Sequence, residues 1–142
     1  MAIKVLGVDP GKTTGICVVE MEKNYGHSPV FWQQLKLDEL AQFLKGIIDY
    51  YRNQIKMVAV ESVVMSGILN KDKFEQIRAF DRSIYIVTQE FYADDIKPKV
   101  VTIAPESRKA ARVRVPKEVK GVHAKDAYRV AVSARLMEVH KK

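Results

Sequence analysis

A single cysteine and three histidines among 142 residues leave little material for disulfide or zinc chemistry. Cys17 has no second thiol to pair with and sits inside an apolar run, where a free cysteine acts as a small core residue. A lone cysteine suits a reducing compartment, so a cytoplasmic location is expected. No apolar stretch approaches the roughly 20 residues that a membrane-crossing helix needs, and residues 1–20 lack the layout of a secretory signal. No membrane partner is therefore expected. Acids are in the minority, with 17 Asp and Glu against 24 Lys and Arg, and the net charge of +7 favours a polyanionic partner without proving one. Repeats, low-complexity tracts and breaks in composition are also missing, so one domain over residues 1–142 is expected, long enough for a real core.

What is present follows an alternating order. Residues 3–8 are apolar apart from Lys4 and rich in β-branched side chains, as a buried strand requires. Asp9-Pro-Gly-Lys-Thr-Thr-Gly15 breaks that pattern as a compact turn. Ile16–Val19 and Val30–Leu35 read as two further strands. Asp38 reads as the N-cap of a helix to about Asn53, with Leu40, Phe43, Leu44, Ile47, Ile48 and Tyr51 at helical spacing. Met57–Val60 is a short apolar strand ending at Glu61, and Ser62–Asn70 is a loop. A second helix is expected over Lys71–Tyr92, with Phe74, Ile77, Ile84, Val87 and Phe91 on its inner stripe. Lys99–Ile103 is a fifth strand stopped by Pro105. The last helix runs from His123 to about Glu138, with Ala127, Val130, Ala131, Ala134 and Met137 facing inward. The order β-β-β-α-β-α-β-loop-α predicts an α/β fold, a mixed sheet covered by helices.

Two strands end on acids. Asp9 and Glu61 each close an uninterrupted apolar run, and an acid there is expensive to bury unless it is paired or binds a metal. Asp126 lies one turn into the last helix and shares a face with His123 at i, i+3. Three acids gathered at one point raise each other's pKa and repel unless cations neutralise them. Oxygen ligands without thiolate select Mg²⁺, with Mn²⁺ as substitute, and the matching chemistry is phosphodiester hydrolysis with two ions per site. Taken singly, each residue has a plainer reading: Asp9 as a turn residue, Glu61 as a surface acid, Asp126 as an acid favoured early in a helix, His123 as a helix cap. His27 and His140 lie in polar surroundings and suggest nothing specific. The segment Arg108–Lys120 holds six basic side chains against one acid, and reads either as a solvated loop or as a nucleic-acid contact.

Val5-Leu-Gly-Val-Asp-Pro-Gly-Lys-Thr-Thr-Gly15, Val58-Ala-Val-Glu-Ser-Val-Val-Met65 and His123-Ala-Lys-Asp-Ala127, in this order, resemble the first-strand, fourth-strand and last-helix motifs of the RuvC-type Holliday junction resolvases, within the RNase H and retroviral integrase superfamily. The resemblance implies an RNase H-like three-layer fold with a five-stranded mixed sheet flanked by helices. It places Asp9, Glu61 and Asp126 at the metal-binding carboxylates and His123 at the family's further catalytic position. It also implies a homodimer that makes paired nicks in branched DNA, and leaves room for branch-migration proteins as partners. DNA contacts are then expected from Lys12, Arg108, Lys109, Arg112, Arg114, Lys117 and Lys120. The aromatic that the family often carries three positions after its second carboxylate is Val64 here, so a wedge into the junction falls to Met65, Ile68, Leu69 or the partner chain.

Rival readings start from the same residues. The Asp9–Gly15 turn also resembles the phosphate loop of sugar kinases and actin-like ATPases, which need two such domains. A nuclease of this fold acting on RNA, RNA–DNA hybrids or flaps is an alternative, as is a non-catalytic nucleic-acid-binding module. Against the last stands the cost of keeping acids on a phosphate-binding surface without metal.

Overall fold

A computed structural model describes residues 2–63 and 70–140. Five strands form one mixed sheet: β1 (Ile3–Asp9), β2 (Thr13–Met21), β3 (His27–Lys36), β4 (Ile55–Glu61) and β5 (Lys99–Ile103), in the order β3-β2-β1-β4-β5. The pairs β1–β2 and β2–β3 are antiparallel, and β1–β4 and β4–β5 are parallel. Helices α1 (Leu40–Tyr51) and α2 (Lys71–Glu90) cover one face, and α4 (Val122–His140) covers the other. The short helix α3 (Pro105–Ala110) follows β5 and packs on α4. This is the mixed α/β sheet covered by helices expected from the order of elements, in the three layers that the family resemblance implies.

Alternation along the strands sorts the two cores. Leu6 and Val8 of β1, Ile16 and Val18 of β2, and Val58 and Val60 of β4 pack with Leu40, Leu44, Ile48 and Val87 of α1 and α2. Val5, Cys17, Val19, Met57 and Ala59 point the other way, against Ala124, Ala127, Tyr128 and Ala131 of α4. Central strands covered on both faces need apolar residues along their covered length, which is why β1 from Val5 and β4 from Met57 read as unbroken runs up to their acids. The same period of two carries Asp9 and Glu61 to the α4 side, since each stands an even number of residues beyond the side chains facing that helix.

Glycine lets α4 come in close. A Cβ on Gly7 would lie 2.2 Å from the Ala127 carbonyl oxygen, and one on Gly15 would lie 1.8 Å from that of His123. The helix therefore touches the backbone of β1 and β2, with Ala127 and Ala131 supplying equally small side chains.

Several boundaries differ from the sequence expectation. Strands β2 and β3 extend to Thr13–Met21 and His27–Lys36, because they pair along their whole length although the far ends are polar. Asp38 does not cap α1; Glu39 precedes the helix without a capping bond, and its Oε1 accepts from the Lys36 N–H at 2.9 Å. Asn70 does cap α2, its Oδ1 accepting from the Lys73 N–H at 2.9 Å. Phe74 is exposed and not part of the inner stripe of α2, where Ala79 and Ser83 are buried beside the expected Val87. Pro105 opens α3 as well as ending β5, as a proline can at the first position of a helix. His27 is not in purely polar surroundings: its Nδ1 is hydrogen-bonded to the hydroxyl of the buried Tyr128. Among the described residues no helix is long and apolar enough to cross a membrane.

The glycine contact gives a direct test. Gly15→Ala should lower unfolding free energy in urea by about 2 kcal/mol or more, since the new methyl meets fixed backbone. Gly46→Ala, where a Cβ meets nothing within 4 Å on α1, should instead stabilise by roughly 0.5–1 kcal/mol. Equal effects from the two substitutions would contradict the close packing of α4.

Candidate active site

The turn after β1 is braced from within. The buried Thr14 hydroxyl donates to the Gly11 carbonyl at 3.1 Å and accepts from the Gly11 N–H at 3.3 Å, which fixes Asp9-Pro-Gly-Lys into a compact bend. At the end of β4, the Ser62 N–H and hydroxyl both donate to the Ile103 carbonyl, at 2.8 and 3.2 Å. That tie to β5 holds Glu61 beside Asp9 on the adjacent parallel strand. The start of α4 is positioned by Gln34 of β3, whose Oε1 accepts from the His123 N–H at 2.9 Å.

These constraints converge on one open cleft of about 420 Å³, lined by Asp9, Lys12, Glu61, Arg108, His123 and Asp126, with Asn70, Asp72, Lys73 and Gln76 from the start of α2. All four residues expected to be catalytic are therefore together. The His123 Nδ1 lies 3.5 Å from Asp9 Oδ2. Asp9 and Glu61 are buried, with relative exposures of 9% and 5%. Burial pushes the Asp9 carboxyl up to about 7, helped by repulsion from Glu61 and Asp126 and opposed by Arg108. Burial also raises Glu61, against the pull of Arg108.

Arg108 is the main departure from expectation. Placed among the DNA contacts by its sequence, it turns into the cleft and bridges two acids. Its Nε donates to Glu61 Oε2, and its Nη1 donates to Asp126 Oδ1 at 3.1 Å. Arg129, one turn along α4, adds a 2.7 Å bond to the same Asp126 oxygen. Pro105 and Glu106 together were a readable helix start, and would have put Arg108 on α3 rather than in a loop. Arg129 was readable as the i+3 partner of Asp126. Gln34 carried no local signal.

The remaining basic residues of the segment stay outside. Lys109, Arg112, Arg114, Lys117 and Lys120 are exposed. Between them Val113 and Val115 pack on the α4 core and Val119 is fully buried, so the segment is anchored rather than solvated along its length. Lys12 is exposed at the cleft wall. Val64, Met65, Ile68 and Leu69 lie outside the described residues.

A hard divalent ion suits the donors present, which are carboxylate oxygens with one imidazole and no thiolate. Among the described residues no three of Asp, Glu, His or Cys close around a single point, and a guanidinium cation stands between two of the acids. The cluster thus already demands positive charge, which is the property a metal site needs.

Neither a protein-family model nor a curated protein matches the sequence. Solved structures share its fold. T. thermophilus RuvC in complex with a Holliday junction substrate matches with a TM-score of 0.79 at 15% identity, over 99% of this chain and 97% of that one. The yeast mitochondrial Holliday junction resolvase matches at 0.63 and 14% identity, over 98% of this chain and 82% of that one. The fowlpox virus resolvase with its substrate Holliday junction DNA matches at 0.56 and 14%, over 99% and 100%. The chain has the RNase H-like fold of these proteins.

Because the folded Asp9 carboxyl sits near 7 instead of its ordinary 3.8, ionisation opposes folding. Its stabilising contribution is complete below the unfolded value and is lost as pH rises towards the folded one. Metal-free protein should lose urea stability between about pH 4 and pH 7, and Asp9→Asn should flatten that slope. Arg108→Gln should cost about 3 kcal/mol in metal-free protein, since it strips the cation from two acids. A pH-independent midpoint in the wild type, or a neutral Arg108→Gln, would show that the acids are not coupled as drawn.

Proposed function

We propose that this chain is a metal-dependent endonuclease of the RuvC type, which resolves four-way (Holliday) or other branched DNA junctions by paired phosphodiester hydrolysis. The observation that carries the reading is the gathering of Asp9, Glu61, Asp126 and His123 in one cleft, at the end of a sheet whose fold recurs in resolvases solved with junction DNA. Asp9, Glu61 and Asp126 would hold two Mg²⁺ ions, or Mn²⁺ in their place. Bound there, the ions supply an activated water and a counter-charge for the leaving 3′-oxygen.

The protein's own groups set the rest. The Asp9 and Glu61 carboxylates are fixed by the ends of two hydrogen-bonded strands, so little reorganisation is needed when they take up charge. His123 is half exposed at the cleft mouth and held against Asp9, where its imidazole can exchange a proton with a group on the phosphate. Arg108, on a helix with no buried residue, has a cation to offer the scissile phosphate once the acids are otherwise neutralised. Lys12 on the cleft wall, and Lys109, Arg112, Arg114, Lys117 and Lys120 on the anchored segment, would contact phosphates without reading bases. A homodimer fits a junction with twofold symmetry, one strand cut per subunit. Its interface would lie on the outer face of α2, where Phe74 and Tyr85 are 53% and 66% exposed.

Labelled four-way junction, duplex, flap and RNA–DNA hybrid, each with Mg²⁺ or EDTA, separate the readings. Paired symmetric nicks should appear in the junction with Mg²⁺ and vanish with EDTA. Preferred cutting of the hybrid or flap would replace the resolvase with a nuclease of other specificity. Asp9→Asn should lose cleavage and keep junction binding, and an active Asp9→Asn protein would remove the proposed metal site. Neutralising Arg112 and Arg114 together should weaken binding and lower its dependence on salt by about one to two in slope; an unchanged slope would remove that segment from the interface.

A further inference from the structure

A second cleft adjoins the acids on the other face of the sheet. It measures about 400 Å³ and is lined by Lys12, Thr13, Lys36, Leu37, Asp38, Glu75, Arg78 and Arg82. Lys12 belongs to both clefts. Lys36 ends β3 opposite Thr13 in the ladder, so it stands beside the same turn. Arg78 and Arg82 are four residues apart on α2, on one face of the helix.

Four cations thus meet two acids in a small exposed area. Among the described residues none of Lys12, Lys36, Arg78 and Arg82 takes part in an ion pair. Like charges at i, i+4 destabilise a helix, so the Arg78–Arg82 pair costs stability that an anion would recover. Arg82 is oriented by its Nη1, which donates to the Leu37 carbonyl at 3.3 Å.

We propose that this cleft is a second phosphate-binding surface, seating the sugar-phosphate backbone of the nucleic acid whose scissile phosphate lies at the acids. The proposal rests on the nuclease reading above and adds residues to it. Its basis is placement. The segment bearing Arg112 and Arg114 packs on the α4 face, while Arg78 and Arg82 belong to the α2 face. Asp9 and Glu61 sit at the sheet end between the two. A polynucleotide crossing that end meets cations before and after the acids, and Lys12 joins the two stretches. A free phosphate or mononucleotide fills only one cleft and gains nothing from that continuity.

The test is fluorescence anisotropy with a labelled four-way junction in Ca²⁺, from about 50 to 200 mM salt. The Lys36→Gln/Arg78→Gln variant is compared with wild type and with Lys23→Gln/Lys56→Gln, which removes the same charge at the opposite end of the sheet. The cleft variant should lose about one to two from the salt slope and bind about tenfold more weakly at the lower salt, with the control near wild type. Equal weakening in both doubles, or none in the cleft variant, overturns the proposal. So does a cleft variant that loses stabilisation by inorganic phosphate, read from thermal melting, but keeps its DNA affinity. Mn²⁺ binding by wild type and Asp9→Asn is measured alongside. If Mn²⁺ binding does not depend on Asp9 while the cleft variant still weakens DNA binding, the metal-site reading fails and the phosphate surface stands. If Mn²⁺ binding depends on Asp9 and the cleft variant binds DNA normally, the surface fails alone.

Discussion

Backbone contact between α4 and the sheet governs the geometry of the site. Gly7 and Gly15 face the helix from adjacent strands, and both would clash if they carried a side chain. Contact at this depth brings the first turns of α4 down to the ends of β1 and β4. Asp126 and His123 then reach acids that belong to other layers of the protein. With a larger residue at either glycine, α4 would be held away from the sheet, and its acid would stand off from the strand ends. Packing and site are therefore one constraint, and the alanines of α4 at 124, 127, 131 and 134 serve both.

Burying the acids has a visible electrostatic cost. Asp9 is driven to about 7, first by burial and then by its two acidic neighbours. Arg108 offsets part of that cost, because a planar guanidinium can bond two carboxylates at once, which an ammonium does with less geometric control. Arg129 adds a second guanidinium to the same Asp126 oxygen. A cluster kept only for stability would do better as apolar residues of similar volume. Its retention at the ends of two central strands, open to a cleft, is what makes a cation-dependent function the economical reading.

Much of this was legible in the sequence, and the reason is local. Apolar runs ending in Asp9 and Glu61 mark strands and acids in the same few residues, and the i, i+3 spacing puts His123 with Asp126. The order of elements then limits the topology to a mixed sheet with helices on both faces. What escaped depends on partners far away in the chain. The polar ends of β2 and β3 become strand because they pair with neighbouring strands, β2 with both β1 and β3. Phe74 follows the helical stripe yet faces outward, since α2 uses Ala79, Ser83 and Val87 to meet its neighbours. His27 of β3 finds Tyr128 of α4, and Arg108 finds Glu61 and Asp126, through contacts that neither local sequence announces. In the basic segment, Val113, Val115 and Val119 were the overlooked signal, because valines between exposed cations mark a chain held down on one side.

The distribution of charge also bears on the size of the substrate. The chain's excess of +7 is not spread evenly, and two basic surfaces flank a cleft whose own side chains include Asp9, Glu61, Asp72 and Asp126. An anion entering that cleft alone meets carboxylates at short range, where their repulsion is least screened, and the more distant cations are weakened over roughly a Debye length. A small phosphate ester therefore has little electrostatic reason to stay. A polynucleotide differs, because its other phosphates can rest on the flanking cations while one is held over the acids. Each flanking contact releases counterions and contributes affinity that the acidic centre cannot supply. On the proposed reading, the basic surfaces provide the binding and the acids provide the chemistry, and only a chain of phosphates long enough to reach both surfaces benefits from the two together.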